Sequence, residues 1–117
     1  MCELFGVEVT RREDATFLIV TGELDMATVP MLERHLLEAE RRGGDPLVVD
    51  LRRLTFMDST GLMAIFRAHE RARSGKWRFA VINGTGQAHR LFQITDAART
   101  IEVLEDVDRA SAETPDV

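Results

Sequence analysis

Apolar and polar residues alternate strictly from Phe5 to Thr10, with Phe5, Val7 and Val9 set against Gly6, Glu8 and Thr10. That period of two predicts a strand with one wetted face. A short polar stretch, Arg11 to Asp14, leads into Thr16-Phe17-Leu18-Ile19-Val20, a run of β-formers. The two segments are expected to pair as an antiparallel hairpin, the second being the more buried. The chain then leaves through Thr21-Gly22-Glu23-Leu24-Asp25, where Gly22 permits a bend and Asp25 or Thr28 can cap a helix.

From about Ala27 to Arg42 the period changes to that of a helix, with Val29, Leu32, Leu36 and Ala39 on one face. Pro30 fits only the first turn, and Arg41, Arg42, Gly43 and Gly44 are stop signals. Leu47-Val48-Val49-Asp50-Leu51 reads as a buried strand. Leu62, Ile65, Phe66 and His69 read as the inner face of a second helix, with Leu62 and Phe66 against a sheet and Arg67, Glu70, Arg71 and Arg73 elsewhere. A strand over Trp77–Ile82, the turn Asn83-Gly84-Thr85-Gly86, a short helix from about Gln87 to Thr95 burying Ala88, Leu91 and Phe92, and a strand over Thr100–Leu104 complete the pattern. Residues 1–106 are expected to form one domain, and 107–117 a short helix or a disordered tail. The order predicts an α/β fold, with a mostly parallel mixed sheet, an antiparallel N-terminal edge strand and packed helices.

Composition narrows the picture. With 117 residues, 44% of them hydrophobic, one core is affordable and a second is not. Twenty acids against 15 bases give a net charge of −5, which argues against non-specific attraction to nucleic acid or to an anionic membrane. The single cysteine, Cys2, excludes an intrachain disulfide, and no apolar run is long enough to span a bilayer. With no signal-like N-terminal stretch, the expected location is the cytoplasm.

The polar residues with chemical interest fall in two loops at the carboxyl ends of strands, where α/β sheets place their functional crevices. One is Gly22-Glu23-Leu24-Asp25; the other holds Asp58-Ser59-Thr60-Gly61. Asp58 and Ser59 are both good N-cap residues, so a hydroxyl is expected at the positive end of a helix dipole, where a phosphoryl group is stabilised by the dipole and free N–H groups. Gly61 costs about 1 kcal/mol relative to Ala in a helix. It is expected to leave a bare backbone that lets another protein approach the hydroxyl. Neither a protease Asp-Thr-Gly or Asp-Ser-Gly, nor a Gly-x-Ser-x-Gly elbow, nor metal-ligand spacing among His35, His69, His89 and Cys2 is present. No enzymatic activity, cofactor or metal is therefore expected. Gly84-Thr85-Gly86 is a weak phosphate-binding pattern, and nucleotide binding through it is the alternative.

Thr21-Gly22-Glu23-Leu24-Asp25, Leu47-Val48-Val49-Asp50-Leu51, Phe56-Met57-Asp58-Ser59-Thr60-Gly61-Leu62 and Arg90-Leu91-Phe92 together resemble the anti-sigma factor antagonists of the STAS domain class. The resemblance spans Thr16 to about Leu104. It implies a STAS-like domain that binds an anti-sigma factor serine kinase and so frees a sigma factor, and that is switched off by phosphorylation of Ser59, with a serine phosphatase to reverse it. Asp25 is implied to lie beside Ser59, although a plain helix cap explains it as well. The partner surface expected on this basis comprises Asp25, Asp58, Ser59, Thr60, Gly61 and Met63. The same resemblance also accommodates a phospho-switch acting on a non-sigma partner.

Overall fold

The longest strands lie side by side at the centre of the sheet, and their length decides where the two loops meet. The structure, a computed structural model, describes residues 4–43, 46–84, 86–94 and 100–104. Its elements are β1 (Gly6–Arg12), β2 (Ala15–Leu24), α1 (Val29–Arg42), β3 (Leu47–Met57), α2 (Ser59–Gly75), β4 (Phe79–Ile82), α3 (Gly86–Ile94) and β5 (Glu102–Leu104). The strands form one five-stranded sheet in sequence order, β1 antiparallel to β2 and the remaining neighbours parallel. This is the α/β architecture expected. The residues proposed as a terminal helix or tail, 107–117, lie outside the described residues, as does the side chain of Ala88.

Alternation sorts the sheet into two faces. Leu18, Val20, Leu24, Val49, Leu51 and Val81 join Leu32 and Leu36 of α1, Leu62, Ile65, Ala68 and Ala72 of α2, and Phe92 of α3 in the larger core. Ala15, Phe17, Val48, Ala80, Ile82 and Leu104 form a smaller cluster from the intervening strand positions. Asp50, the one buried charged residue among those described, is answered by Arg52, whose backbone N–H, Nε and Nη2 donate to its carboxylate at 3.0, 3.1 and 2.9 Å. A buried carboxylate so satisfied avoids the desolvation penalty that an unpaired one would carry.

Two expectations are corrected. The central strands run on past Val20 and Leu51: Thr21–Leu24 and Arg52–Met57 are paired strand, not loop, with register shifts after Ile19 and Gly22. These irregularities break the simple alternation that marks a strand in sequence. Gly22 takes φ +96°, and a Cβ there would lie 2.9 Å from the Phe5 Cα, so the start of β1 presses directly on its backbone. The inner face of α2 matches the one expected at Leu62 and Ile65 and departs from it at Phe66 and His69. Gly61, Leu62, Ala64, Ile65, Ala68 and Ala72 are buried, whereas Phe66 and His69 are only half-buried at the flank. Small alanines let the helix approach the sheet closely, and Phe66 covers the margin.

The charged face of α2 is likewise not simply solvated. Arg67 Nη2 donates to Glu33 Oε2 at 2.9 Å, and Arg71 donates through Nε to Glu40 Oε1 at 2.8 Å and through Nη2 to Glu40 Oε2 at 2.9 Å. The Glu40 carboxylate, chiefly by its hydrogen bonds, raises the already high pKa of Arg71. These pairs tie α1 to α2 along the seam between them.

The departure at Phe66 generates a stability prediction. Ile65→Ala, which empties a fully buried position, should cost about 2–5 kcal/mol. Phe66→Ala should cost clearly less than the roughly 3–5 kcal/mol of a fully buried Phe. Urea unfolding of the two variants side by side checks the ranking, and Phe66→Ala as the more damaging change would show the face to be misassigned.

Candidate functional site

The ends of β2 and β3 are held together by main-chain pairing. Leu24 stands in register with Met57, and the Asp58 N–H donates to the Leu24 carbonyl at 3.1 Å. The residues that follow, Asp25 on one strand and Asp58-Ser59-Thr60 on the other, therefore leave the sheet side by side. Residues that are 33 apart in sequence, such as Gly22 and Thr55, are also in contact here, the Thr55 hydroxyl donating to the Gly22 carbonyl at 3.2 Å.

Asp58, and not Ser59, is the N-cap of α2. Its backbone is extended, and its Oδ1 accepts from the Gly61 N–H at 3.1 Å and from the Thr60 hydroxyl at 2.5 Å. Its carboxyl is held below the usual carboxylate range, first by the Thr60 hydroxyl, with the Gly61 and Thr60 N–H groups adding to it and burial opposing. The positive end of the helix is thus partly matched by a carboxylate, which takes up the Gly61 N–H. Ser59 is the first helical residue. It is exposed, and among the described residues its hydroxyl makes no hydrogen bond. Of the two adjacent hydroxyls, Thr60 is engaged and Ser59 is available.

Gly61 does not serve the surface. It is buried, and a Cβ built on it would lie 2.7 Å from Leu24 Cγ and 3.0 Å from the Leu24 carbonyl oxygen. The glycine is required so that the first turn of α2 can close onto the end of β2. It sits beneath the expected partner surface, while Met63, 48% exposed, lies on it.

Asp25 is half-buried and holds the turn that leads into α1, whose N-cap is Thr28 without a side-chain cap bond. Its Oδ1 accepts from the N–H groups of Ala27 and Thr28 at 3.0 and 3.2 Å, and its backbone carbonyl accepts from Val29 at 2.9 Å. Thr28, weighed in the sequence only as a cap, braces the loop: its hydroxyl accepts from the Asp25 N–H at 2.9 Å and donates to the Glu23 carbonyl at 2.8 Å. Met26, 75% exposed, and Phe56, 38% exposed, add apolar surface beside these polar groups.

Gln87 is the residue that the sequence did not mark. Its side-chain amide clasps the Met57 backbone, Nε2 donating to the carbonyl and Oε1 accepting from the N–H, both at 2.9 Å. It thereby supplies β3 with a strand-like partner beyond the end of β4, and no periodicity or motif signals such a contact. In the Gly84-Thr85-Gly86 turn, Gly84 is buried and its N–H donates to Asn83 Oδ1 at 2.8 Å, while Gly86 is exposed. Thr85 lies outside the described residues. Among the described residues no group of His, Cys, Asp and Glu is arranged to hold a metal, and no helix is long and apolar enough to cross a membrane.

Comparison with known proteins bears on this site. A family model described as the STAS domain matches residues 6–110. An anti-sigma-B factor antagonist of Listeria monocytogenes is 30% identical over 99 residues, which cover 84% of this chain and 87% of that protein. The crystal structure of an anti-sigma factor antagonist from Mycobacterium paratuberculosis superimposes with a TM-score of 0.84 at 25% identity, covering 97% of this chain and 96% of that one. The Bacillus cell fate determinant SpoIIAA in its phosphorylated form shares the fold, with a TM-score of 0.68 at 19% identity over 93% of this chain and 98% of that one.

Two predictions follow from the internal roles of Gly61 and Asp58. Gly61→Ala should destabilise by about 1–3 kcal/mol through overpacking, and Leu24→Ala in the same chain should offset part of that loss. Additive losses in a double-mutant cycle would disprove the contact. Because the folded Asp58 carboxyl titrates below its unfolded value of about 3.9, its stabilising contribution is present above that pH and is lost as pH falls through the folded value. The stability gap between wild type and Asp58→Asn, measured by urea unfolding, should therefore narrow between about pH 7 and about pH 3.

Proposed function

The chain belongs to the STAS domain family, and from that membership we propose that it is an anti-sigma factor antagonist: unphosphorylated, it binds an anti-sigma factor that is also a serine kinase, and phosphorylation of Ser59 ends the complex. The observation that carries this reading is the contrast at the start of α2. Asp58 and Thr60 are bonded to one another and to the helix end, while the Ser59 hydroxyl between them is exposed and has no hydrogen bond among the described residues. A hydroxyl held on a rigid helix terminus and committed to nothing else suits a phosphoryl acceptor. The name of the Listeria relative supports the antagonist role, and the phosphorylated form of SpoIIAA is in keeping with a modified state on this fold.

The contact surface comprises Asp25, Asp58, Ser59, Thr60 and Met63, with the exposed Met26 and Phe56 beside them. Such a mixture of apolar side chains and acids fits a neutral or basic partner face. A phosphate on Ser59 adds about −1.5 to −2 charges at pH 7 next to the Asp58 carboxylate. In the complex that charge must be desolvated against acidic neighbours, so affinity falls. Within the free domain the helix dipole favours the phosphate and Asp58 repels it, so the two effects offset one another. The switch therefore acts on the interface and not on folding. A serine phosphatase completes the cycle by returning the hydroxyl.

The test uses the kinase recovered from the source cell by pull-down with this chain. After incubation with that kinase and ATP, mass spectrometry should place the phosphate on Ser59. Calorimetry should then show affinity reduced about hundredfold, equivalent to about 3 kcal/mol, with the melting temperature little changed. Ser59→Ala should bind and never switch off, and Asp25→Ala should weaken binding or phosphorylation with an unchanged far-ultraviolet spectrum. Modification confined to Thr60, or full affinity of the Ser59 phosphoprotein, would defeat the mechanism.

A further inference from the structure

We propose that β1 is a docking edge for a second copy of this chain, joined antiparallel about a two-fold axis that runs perpendicular to the sheet midway between the two Thr10 residues. Among the described residues β1 is bonded on one side only, and its seven residues pair with β2 in an unbroken register. It carries neither proline nor bulge, two of the usual devices that close an edge, and Val9 on it is 45% exposed.

The charge pattern selects the occupant and the register. Glu8, Thr10 and Arg12 stand opposite Ile19, Phe17 and Ala15 and share one face of the sheet, where the Arg12 guanidinium lies 6.0 Å from the centre of the Phe17 ring. Val7, Val9 and Arg11 belong to the other face. A two-fold axis perpendicular to the sheet keeps like faces together, so only residues of the same face can meet across the junction. In the pairing centred on Thr10, Glu8 of each copy faces Arg12 of the other, twice by symmetry. Thr10 meets Thr10, and Val9 meets the aliphatic stem of Arg11. Opposite charges and paired threonines are favourable cross-strand neighbours. The pairing centred on Val9 sets Glu8 against Thr10 and Arg12 against Gly6, and matches no charge directly. On the helix side a groove between β1 and α1, lined by Val9, His35, Glu38 and Arg42, extends the contact beyond the strand itself.

The joined strands run in opposite directions, so the two Ser59 turns lie at opposite ends of the shared sheet. Pairing at β1 therefore leaves both candidate partner surfaces open, and the proposal stands or falls independently of the kinase.

Sedimentation equilibrium of the purified chain, at concentrations up to about 200 μM, should show a monomer–dimer equilibrium. Glu8→Arg and Arg12→Glu, each at an exposed position, should each weaken it about tenfold or more by placing like charges opposite one another. The double variant Glu8→Arg/Arg12→Glu should restore it to within about threefold. Circular-dichroism melts confirm that each variant is folded. A monomer throughout the range, a dimer indifferent to Glu8→Arg, or a folded charge swap that fails to rescue would overturn the proposal. So would a chain that remains monomeric while its β1 edge captures a different protein.

Discussion

The end of the molecule that carries the candidate site hangs on one main-chain hydrogen bond, from the Asp58 N–H to the Leu24 carbonyl. It is the last rung between the two longest strands, and Asp25 and the Asp58-Ser59-Thr60 turn lie immediately beyond it. Because the rung closes over Gly61, where a Cβ would collide with Leu24, the first turn of α2 is seated on β2 and does not project freely into solvent. The turn then has a fixed direction, Asp58 can reach back to cap it, and Ser59 is left facing outward. Substituting the glycine would disturb the cap, the strand end and the hydroxyl together, since all three share that contact.

The order and type of the elements were legible because the hydrophobic periods change cleanly, from two in Phe5–Thr10 to nearly four in α1. The ends of β2 and β3 were not, because the shifts in register after Ile19 and Gly22 interrupt alternation where the strands continue. The face of α2 was legible at Leu62 and Ile65 but misjudged at Phe66 for a different reason. Phe66 is large and apolar and attracts assignment to the core, but the positions nearest the sheet are taken by alanines, which admit a closer approach than an aromatic ring. At the candidate site the motif Asp-Ser-Thr-Gly pointed to the right turn, while the division of labour within it depended on three-dimensional contacts. Asp58 as cap, Gly61 as internal spacer and Gln87 as clasp are all properties of neighbours distant in sequence.

Charge is used in two distinct ways in an acidic chain. Along the seam of α1 and α2, Glu33 and Glu40 are consumed by Arg67 and Arg71, which orient the second helix relative to the first and leave little net field there. At the ends of β2 and β3 the carboxylates of Asp25 and Asp58 are held by backbone N–H groups and hydroxyls, with no cation paired to them among the described residues. At such a terminus the helix dipole and the Asp58 carboxylate act in opposite directions on any further anion.

The Gln87 clasp carries a consequence of a mechanical kind. A planar amide bonded through both of its polar atoms to one peptide unit acts as a short rigid strut, fixing the start of α3 against the residue just before the Asp58 cap. The third helix and the Ser59 turn are thereby fastened to the same peptide from its two sides. A load applied to α3 is therefore transmitted to that turn through a single peptide, so the turn's position depends on a helix it does not itself touch.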